Sequence, residues 1–489
     1  MKQTVFALAM CFMASVAWSQ NITFHQSDKS GKRLPTQRVL KMLPSSNEDE
    51  LLVVEAKLNA VGEVKSIQVR QINDRWKESA IVKIDNTRGC SVDAFGNGDR
   101  LHLLLASFDK KGSSMRHVVL NVSPLRVISD SLLAEMDLGE DEQCLLFRAV
   151  SSPSNNYHAV VFTKESDVGD QATAMLYDGE MKRLRVCKLP HGAVRQILVT
   201  DRGEVVTACL LSSNSHEQSL LRFNVANSSD LKSGEVVLKG DLEQLALLNY
   251  AGGKVLCAAL EGEESGFLAG KHLITAFHSL LFDMQSASLC AHTRHPFSNE
   301  ELCVFENVDT DTKLSSKGAN YILLCDHLTT ASGGAVLFQR QWRESHRQNG
   351  MELSFSFIRK GMVVANLDTL GNILWTRGIM QNNQHATLNV RGPYLLDHDG
   401  TICVITNEAK DESPEYNPSI AAKRSKSLLM ANAALSAYCF SPDGKGSKQM
   451  LASDGKYLIL SPLHHFGNGK YYFLSGGNAP QISYIILHQ

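Results

Sequence analysis

The stretch VVANLDTLGNILWTRGIM, residues 363–380, decides the fold of this chain. Two short apolar runs flank a turn that begins at Asp368 and contains Gly371. Glycine suits such a turn because it reaches positive φ without a steric penalty. The stretch therefore predicts two antiparallel strands joined by a tight connection, which is a β-hairpin.

The same order of an apolar run, an Asp or Asn, a Gly and a second apolar run recurs along the chain. It is found at 58–64, in a looser form at 108–112, at Tyr177-Asp178-Gly179, at 399–402 and at Pro442-Asp443-Gly444. Short β-type runs bounded by Gly, Asn, Asp and Ser fill most of the remaining sequence. Only 129–138 and 270–284 are candidate helices, and the second would also suit a pair of strands. The sequence thus predicts an all-β protein.

A β-propeller is the expected architecture, because repetition at tens of residues in an all-β chain is typical of that fold. We predict about seven four-stranded blades, within a range of about six to eight. Their approximate bounds are 40–87, 88–139, 140–189, 190–240, 241–296, 297–379 and 380–452. The tail, 453–489, holds further strand-like runs, so it either pairs with the mature N-terminal segment to close the ring or forms an eighth blade.

Two blades resemble known propeller repeats. Residues 151–188 resemble the bacterial WD40-like repeat, in which an S-P-D-G turn leads an apolar strand, although Asn replaces the Asp-Gly pair here. Residues 363–380 resemble a quinoprotein-type repeat, L-D-x-x-G-x-x-x-W, whose Trp packs between blades, so Trp375 is expected to be buried between two sheets. The segment 320–410 is similar to uncharacterised exported propeller-like proteins of the Bacteroidetes. These resemblances cover less than half of the chain and imply a fold and a compartment.

Residues 1–19 have the pattern of a secretory signal peptide. Lys2 supplies a basic residue, 5–16 is apolar, and Ala17-Trp18-Ser19 is a small-x-small cleavage site. The apolar run is shorter than the roughly 20 residues that a membrane-spanning helix needs. We therefore expect a single propeller domain, 20–489, that is exported to the periplasm, the outer-membrane surface or the medium and has no membrane span after signal removal.

Charge and cysteine content narrow the function further. The chain carries 49 basic and 51 acidic residues, a formal charge of −2, so it has no basic field that would attract nucleic acid. Its one basic cluster, 423–426, is expected to be a solvated loop. Ten cysteines remain after Cys11 leaves with the signal, and we expect mostly free core thiols with one or two disulfides. Those inside apolar runs are Cys209, Cys257, Cys325, Cys403 and Cys439.

No catalytic motif is found, and the catalytic residues stay unknown. The Cys and His residues of 290–295, together with Cys303, match no standard spacing of zinc ligands. The segment 307–311 lacks the turn Gly and the distal Glu of a calcium-binding loop. Trp375 alone, as the Trp of one quinoprotein-type repeat, does not indicate a quinone-dependent dehydrogenase. Sialidase turns of the form S-x-D-x-G-x-x-W are absent. We expect neither a cofactor nor a metal.

The segment 340–353, RQWRESHRQNGMEL, interrupts the apolar alternation inside one blade. Polar excursions from a rigid ring often carry binding residues, and Trp342 and Arg343 are the candidate partner-binding residues because Trp and Arg are good interface anchors. The sequence favours a non-catalytic binding or scaffolding propeller at the bacterial cell envelope, with an envelope protein or a glycan as partner. The alternative is a carbohydrate-active hydrolase or lyase with paired carboxylates in the central cleft.

Overall fold

Eight four-stranded antiparallel sheets form the protein in a computed structural model. The residues that the structure describes are 22–26, 38–45, 50–58, 64–73, 77–87, 90–108, 112–137, 143–165, 170–211, 218–265, 271–348, 351–385, 391–409, 415–422, 433–453, 458–466, 469–476 and 481–488. The signal-peptide pattern at 1–19 and the basic cluster at 423–426 lie outside them. Among the described residues, no helix is long and apolar enough to span a membrane.

Blades 1 to 4 follow one another along the chain, after strand β1 (Ile22–Gln26), which belongs to the last blade. Their strands are β2 (Arg38–Pro44), β3 (Leu51–Leu58), β4 (Val64–Ile72) and β5 (Glu78–Ile84); β6 (Ser91–Asn97), β7 (Arg100–Phe108), β8 (Gly112–Asn121) and β9 (Arg126–Asp137); β10 (Gln143–Ser151), β11 (Tyr157–Glu165), β12 (Gln171–Asp178) and β13 (Arg183–Lys188); β14 (Ala193–Val199), β15 (Val205–Leu211), β16 (Gln218–Ala226) and β17 (Leu231–Lys239).

Blades 5 to 7 continue the series, with the helix α1 (Asn299–Glu306) between blades 5 and 6. Their strands are β18 (Asp241–Tyr250), β19 (Lys254–Ser265), β20 (Lys271–Asp283) and β21 (Leu289–Pro296); β22 (Ile322–Thr330), β23 (Gly333–Gln348), β24 (Met351–Asp368) and β25 (Ile373–His385); β26 (Tyr394–His398), β27 (Thr401–Ala409), β28 (Ala433–Phe440) and β29 (Gly446–Ala452). The first strands of neighbouring blades contact one another, so they line the axis, and the fourth strands are outermost.

Blade 8 closes the ring with residues from both ends of the described chain. It contains β30 (His464–His465), β31 (Lys470–Ser475) and β32 (Gln481–Leu487), and β1 is its outermost strand. Ile22 pairs with Leu487 and Gln26 with Ser483. The two alternatives for the tail are therefore both correct, and the central estimate of seven blades is one too low. The predicted bounds of blades 1 to 5 lie within three residues of the observed strands, whereas the boundary predicted at 379/380 falls inside β25. The eighth blade needs a strand from far away in sequence.

The apolar core lies between the blades, because each inner strand packs a face against each neighbouring sheet. Trp375 illustrates the packing: it is 8% exposed and lies with Val364 of its own blade against Phe440 of blade 7. The burial predicted for Trp375 is confirmed. Cys403 and Cys439 face each other on β27 and β28 and form a disulfide. The other eight described cysteines form no disulfide, in agreement with the expected one or two disulfides, and five of them are buried.

The helical prediction is wrong for the described part of both candidate segments. Residues 129–137 fall on the outermost strand β9, and 271–283 form the single strand β20 and not a pair of strands. The helix that does form, α1, follows a signal that the periodicity analysis missed. Ser298 accepts a hydrogen bond from the Glu301 backbone N–H, and the Glu301 side chain accepts one from the Ser298 backbone N–H. This is a capping box, which satisfies two otherwise unpaired donors at a helix start.

The Asp-Gly turns lie mostly at one end of the ring. Asp178, Asp368 and Asp443 begin or lie in turns between third and fourth strands, and Asp399 lies in a turn between first and second strands, which is the same end of an antiparallel blade. Asp368 Oδ1 accepts hydrogen bonds from the backbone N–H groups of Leu370 and Asn372, both at 2.8 Å. The instance at 58–64 and the looser one at 108–112 join second and third strands, and 59–63 and 109–111 lie outside the described residues.

The innermost strands of five blades share an irregularity that positions side chains near the axis. Their pairing with the second strand shifts by one residue at the same place, at Leu40, Leu145, Arg195, Glu243 and Cys325. Such a bulge re-aims the residue beyond it. In blade 5 that residue is Gln244, which accepts a hydrogen bond from Leu324 N of blade 6 at 2.9 Å. In blade 6 it is Asp326, which accepts from Leu395 N of blade 7 at 2.7 Å.

Candidate functional site

A cavity of about 500 Å³ lies where the innermost strands of blades 1, 2 and 3 meet, and we call it the axial cavity. It falls within the roughly 300–1,000 Å³ range of small-molecule sites. Its lining residues are Lys41 from β2, Ser91, Val92 and Asp93 from β6, Leu104, Ala106 and Met115 from β7 and β8, Phe147, Arg148, Ala149, Val150 and Ser151 from β10, and Ser152 and Asn155 from the turn that follows.

The walls of the axial cavity differ in polarity. Leu104, Met115 and Phe147 belong to the apolar cluster that fills the interface between blades 2 and 3, so one wall is continuous with the core. Lys41 and Arg148 lie on strands that are otherwise largely apolar, RVLKMLP and QCLLFRAVS. The cavity therefore combines an apolar surface with a few directional polar groups, which is the usual composition of a ligand site.

The charges of the axial cavity do not cancel. Lys41 Nζ lies 3.1 Å from Asp93 Oδ1, which also accepts a hydrogen bond from the Ala94 backbone N–H at 2.8 Å. Arg148 is exposed, and among the described residues it forms no hydrogen bond or ion pair. Since Lys41 and Asp93 form a neutral pair, Arg148 leaves the cavity with a net positive charge.

Ser151 lines the axial cavity and contacts the buried His158. His158 Nδ1 lies 2.9 Å from Ser151 Oγ, within hydrogen-bond distance. His158 Nε2 is buried without a partner in the described structure. A hydroxyl has one hydrogen and two lone pairs, so Ser151 Oγ keeps hydrogen-bonding capacity for a ligand whichever ring nitrogen of His158 carries the proton.

A column of stacked rings supports this arrangement at the interface between blades 2 and 3. The Phe95 ring lies between the rings of His158 and His102, with centroid distances of 3.8 Å and 4.8 Å, and His102 stacks on His117. Burial lowers the pKa of His158 and of His102 to about 4 and also lowers the pKa of His117. The three imidazoles are therefore neutral near pH 7.

The described residues of the axial cavity lack the pair of carboxylates that glycoside hydrolysis uses. Asp93 is the one acid among them, and it is paired with Lys41. Elsewhere at the axis, burial raises the pKa of Asp326 to about 6. Its two oxygens, however, accept hydrogen bonds from the backbone N–H groups of Leu395 and His327. An acid held in this way fixes one inner strand to the next.

The segment 290–295 contributes to a buried ionic cluster in blade 5. Arg294 donates to both oxygens of Glu261, and His278 bridges Glu261 at 2.7 Å and His292 at 2.8 Å. Burial alone would raise the pKa of Glu261, but the hydrogen bonds from Arg294 and His278 outweigh it and hold that pKa at about 2. Within the described part of the chain, no group of three or more His, Cys, Asp or Glu is placed to hold a metal ion.

The oxygen-rich segment 307–311 holds a neighbouring loop. The Asn307 amide bonds both the N–H and the carbonyl of Ala422, at 3.0 Å and 2.9 Å. Asp309 Oδ1 accepts from the Ala421 N–H at 2.8 Å. These side chains therefore anchor the loop 415–422 to the end of α1.

Trp342 and Arg343 lie on β23 in blade 6, on the hairpin that joins the second and third strands. Trp342 is half-buried: its ring stacks on Tyr321 at 6.1 Å, and the Arg340 guanidinium lies 5.0 Å from its centroid. Arg343 is exposed. The structure does not bring either residue to the axial cavity, which belongs to blades 1 to 3. The sequence analysis missed the cavity residues, and the signal that it overlooked is the charge of Lys41 and Arg148 within apolar strands.

Comparisons with known proteins extend over most of the chain at low similarity. No protein-family description and no curated protein sequence matches it. The propeller domain of the Trilobed protease from Pyrococcus furiosus is 10% identical, with a TM-score of 0.37, over 86% of this chain and 96% of that one. Sqt1 of Chaetomium thermophilum, bound to the N-terminus of ribosomal protein L10, is 10% identical with a TM-score of 0.40, over 92% and 97%.

A third similar structure, the polysaccharide lyase Uly1, is 10% identical with a TM-score of 0.35, over 81% of this chain and 88% of that one. The three similar proteins differ in activity, and likenesses at this level carry no argument about function. The β-propeller architecture rests on the strand order and closure described above.

Proposed function

We propose that this protein is an exported, non-catalytic binding or scaffolding propeller of the bacterial cell envelope, with an envelope protein or a glycan as its partner. The axial cavity is the observation that carries the proposal. It offers a cation, a hydroxyl and an apolar wall at the axis of the ring. Such a set of groups can hold a ligand by directional contacts on one side and by apolar contact on the other.

The acid content of the axial cavity favours binding over turnover. A glycosidase needs a second carboxylate near the first, and Asp93 is the one acid among the described lining residues. Asp93 is moreover paired with Lys41, whose Nζ lies 3.1 Å from Asp93 Oδ1.

Export is part of this proposal and rests on the pattern of residues 1–19. Cell fractionation followed by N-terminal sequencing tests it. We expect a mature chain that begins near Gln20 in the periplasmic, outer-membrane or culture fraction. A cytoplasmic pool that retains Met1 would contradict export.

The hairpin of blade 6 is the proposed contact for a macromolecular partner. Arg343 is exposed, and the Trp342 ring lies beside two cations, since Lys360 Nζ is also 5.8 Å from its centroid. An aromatic ring next to an exposed guanidinium is a common composition of interface anchors.

Affinity purification from the envelope fraction tests partner binding. The wild type is compared with the double variant Trp342→Ala/Arg343→Ala and with Val237→Ala, which truncates a 62% exposed side chain on the outer strand of blade 4. We expect the double variant to lose partners that the wild type and Val237→Ala retain. An identical partner list and yield for all three proteins would exclude this hairpin, and a wild type that retains no envelope component would contradict the binding function.

A further inference from the structure

The polar groups of the axial cavity specify the chemistry of its ligand more closely than its volume does. Both contacts of Asp93 use Oδ1, since Lys41 Nζ and the Ala94 N–H each approach that oxygen. Oδ2 makes no hydrogen bond with the described residues, and a carboxylate oxygen can only accept. The cavity therefore holds one free acceptor that calls for a donor on the ligand, such as a hydroxyl.

Arg148 requires a hydrogen-bond acceptor on the ligand, whereas Asp93 Oδ2 requires a donor. Its guanidinium is without a partner among the described residues and carries the net charge of the cavity. A guanidinium matches a carboxylate with two parallel hydrogen bonds, which are stronger than bonds between neutral groups. The site therefore favours an anionic group on the ligand beside Arg148.

Ser151 adds a hydroxyl in a fixed position. His158 is 0% exposed and its Nδ1 lies 2.9 Å from Ser151 Oγ, and the hydroxyl keeps further hydrogen-bonding capacity for a ligand. Ser151 and Arg148 come from the same strand, β10, and the apolar wall of Leu104, Met115 and Phe147 completes the cavity. A ligand that satisfies all these groups has a carboxylate, several hydroxyls and an apolar face.

We infer that the axial cavity binds the carboxylate-bearing sugar unit of an acidic glycan, an inference that rests on the proposed binding function. The sugar carboxylate pairs with Arg148, a hydroxyl donates to Asp93 Oδ2, and Ser151 Oγ forms a hydrogen bond with another sugar hydroxyl. The C–H face of the sugar packs against the apolar wall. A neutral sugar leaves Arg148 unpaired, and a simple carboxylic acid leaves Asp93 Oδ2 unpaired.

Isothermal titration of the purified protein at low salt, with D-glucuronate, D-glucose and acetate as probes, tests this inference. We expect D-glucuronate to bind at least about tenfold more tightly than either of the other two, because each of them loses a charge-assisted hydrogen bond. Affinity for D-glucuronate should fall as salt is added, since an ion pair near the surface is screened.

Matched variants locate the binding. Arg148→Gln should weaken D-glucuronate at least about tenfold and bring it close to D-glucose. The control is Arg195→Gln, which changes another exposed arginine on an innermost strand, β14, that does not line the cavity. It should leave the affinity unchanged. Ser151→Ala should weaken binding, and it should also lower the melting temperature because the buried His158 loses a hydrogen-bond partner.

Each contrary result overturns a defined part of the inference. Equal affinities for D-glucuronate and D-glucose would exclude the anionic contact, and equal affinities for D-glucuronate and acetate would exclude the sugar. Absence of binding of all three probes, or equal losses in Arg148→Gln and Arg195→Gln, would overturn the site itself. Retention of envelope partners by the same wild-type preparation would show that the proposed binding function survives this failure.

Discussion

Trp375 donates its indole N–H to the backbone carbonyl of Pro442, 3.0 Å away across the interface between blades 6 and 7. Arg377 repeats the contact two residues later by donating to the Gly444 carbonyl at 2.6 Å. In blade 3, Arg185 likewise donates to the Asn227 carbonyl of blade 4 at 2.6 Å. The fourth strand of one blade thus holds the last turn of the next, which fixes neighbouring blades to each other at one end of the ring.

Trp375→Ala should destabilise the protein by about 3–5 kcal/mol, because it removes a buried ring and leaves a cavity between two blades. Trp375→Phe should cost less, since it keeps most of the packing and loses mainly the hydrogen bond to Pro442. Urea unfolding measures both. Trp342→Ala is the control, as that ring is only half-buried, and a loss as large as that of Trp375→Ala would contradict the interblade role.

The buried histidines predict a loss of stability on mild acidification. Burial lowers the pKa of His158 to about 4 from an ordinary value of 6.5, so the unfolded chain binds more protons between these pH values. The contribution of the neutral ring to the free energy of unfolding is therefore fully present above about pH 6.5. It decreases by about 2–3 kcal/mol for one such ring as the pH falls towards 4.

Unfolding free energies measured from pH 7 to pH 4.5 test this. His158→Asn should show a shallower dependence on pH than the wild type, whatever its stability at pH 7. His191→Asn, which replaces an exposed histidine, should keep the slope of the wild type. Parallel slopes for all three proteins would refute a neutral, buried His158.

The disulfide between Cys403 and Cys439 should stabilise blade 7 by about 2–4 kcal/mol, mainly by restricting the unfolded chain. The two residues are 36 apart in sequence, and both lie on strands that pair directly. Thermal unfolding should shift to lower temperature in Cys403→Ala/Cys439→Ala. Peptide mapping under non-reducing conditions checks the bond itself, and alkylation of both thiols without prior reduction would exclude it.

Ile22→Ala should destabilise the protein by about 2–5 kcal/mol, because a buried side chain of the closing strand is truncated. Ile22 is 3% exposed and belongs to the core between blades 7 and 8. Thr23→Ala on the same strand is the matched control, since its side chain is exposed. Equal unfolding free energies for the two variants would show that β1 does not seal blade 8.

The sequence predicts the blades well where their signals are local. The turn at Asp368 and Gly371 identified a hairpin because Asp accepts from the turn backbone and Gly371 has a φ of +79°. A helix was wrongly predicted at 129–138 because Leu, Ala, Glu and Met favour helices in isolation. Pairing of β9 with β8 overrides that preference, and Leu132 stays 57% exposed on the outer edge.

The axial cavity could not be predicted in the same way. Its charged groups, Lys41, Asp93 and Arg148, come from three blades and are brought together only when the innermost strands surround the axis. A β-bulge at Leu40 directly precedes Lys41 on its strand, and no periodicity marks that bulge in advance. Trp342 and Arg343 could be proposed as binding residues from the sequence, because the polar segment that contains them is continuous and interrupts an apolar run.

The pairing of Ile22 with Leu487 also dictates the order in which the molecule can assemble during synthesis. Blades 1 to 7 are meanders of neighbouring strands, so each can form from local contacts soon after its residues emerge. Strand β1 is made before the other described strands and has no partner until β32 has been made. The earliest described strand is thus the last to pair, and a nascent chain that has been made only as far as β29 holds seven blades in an open arc.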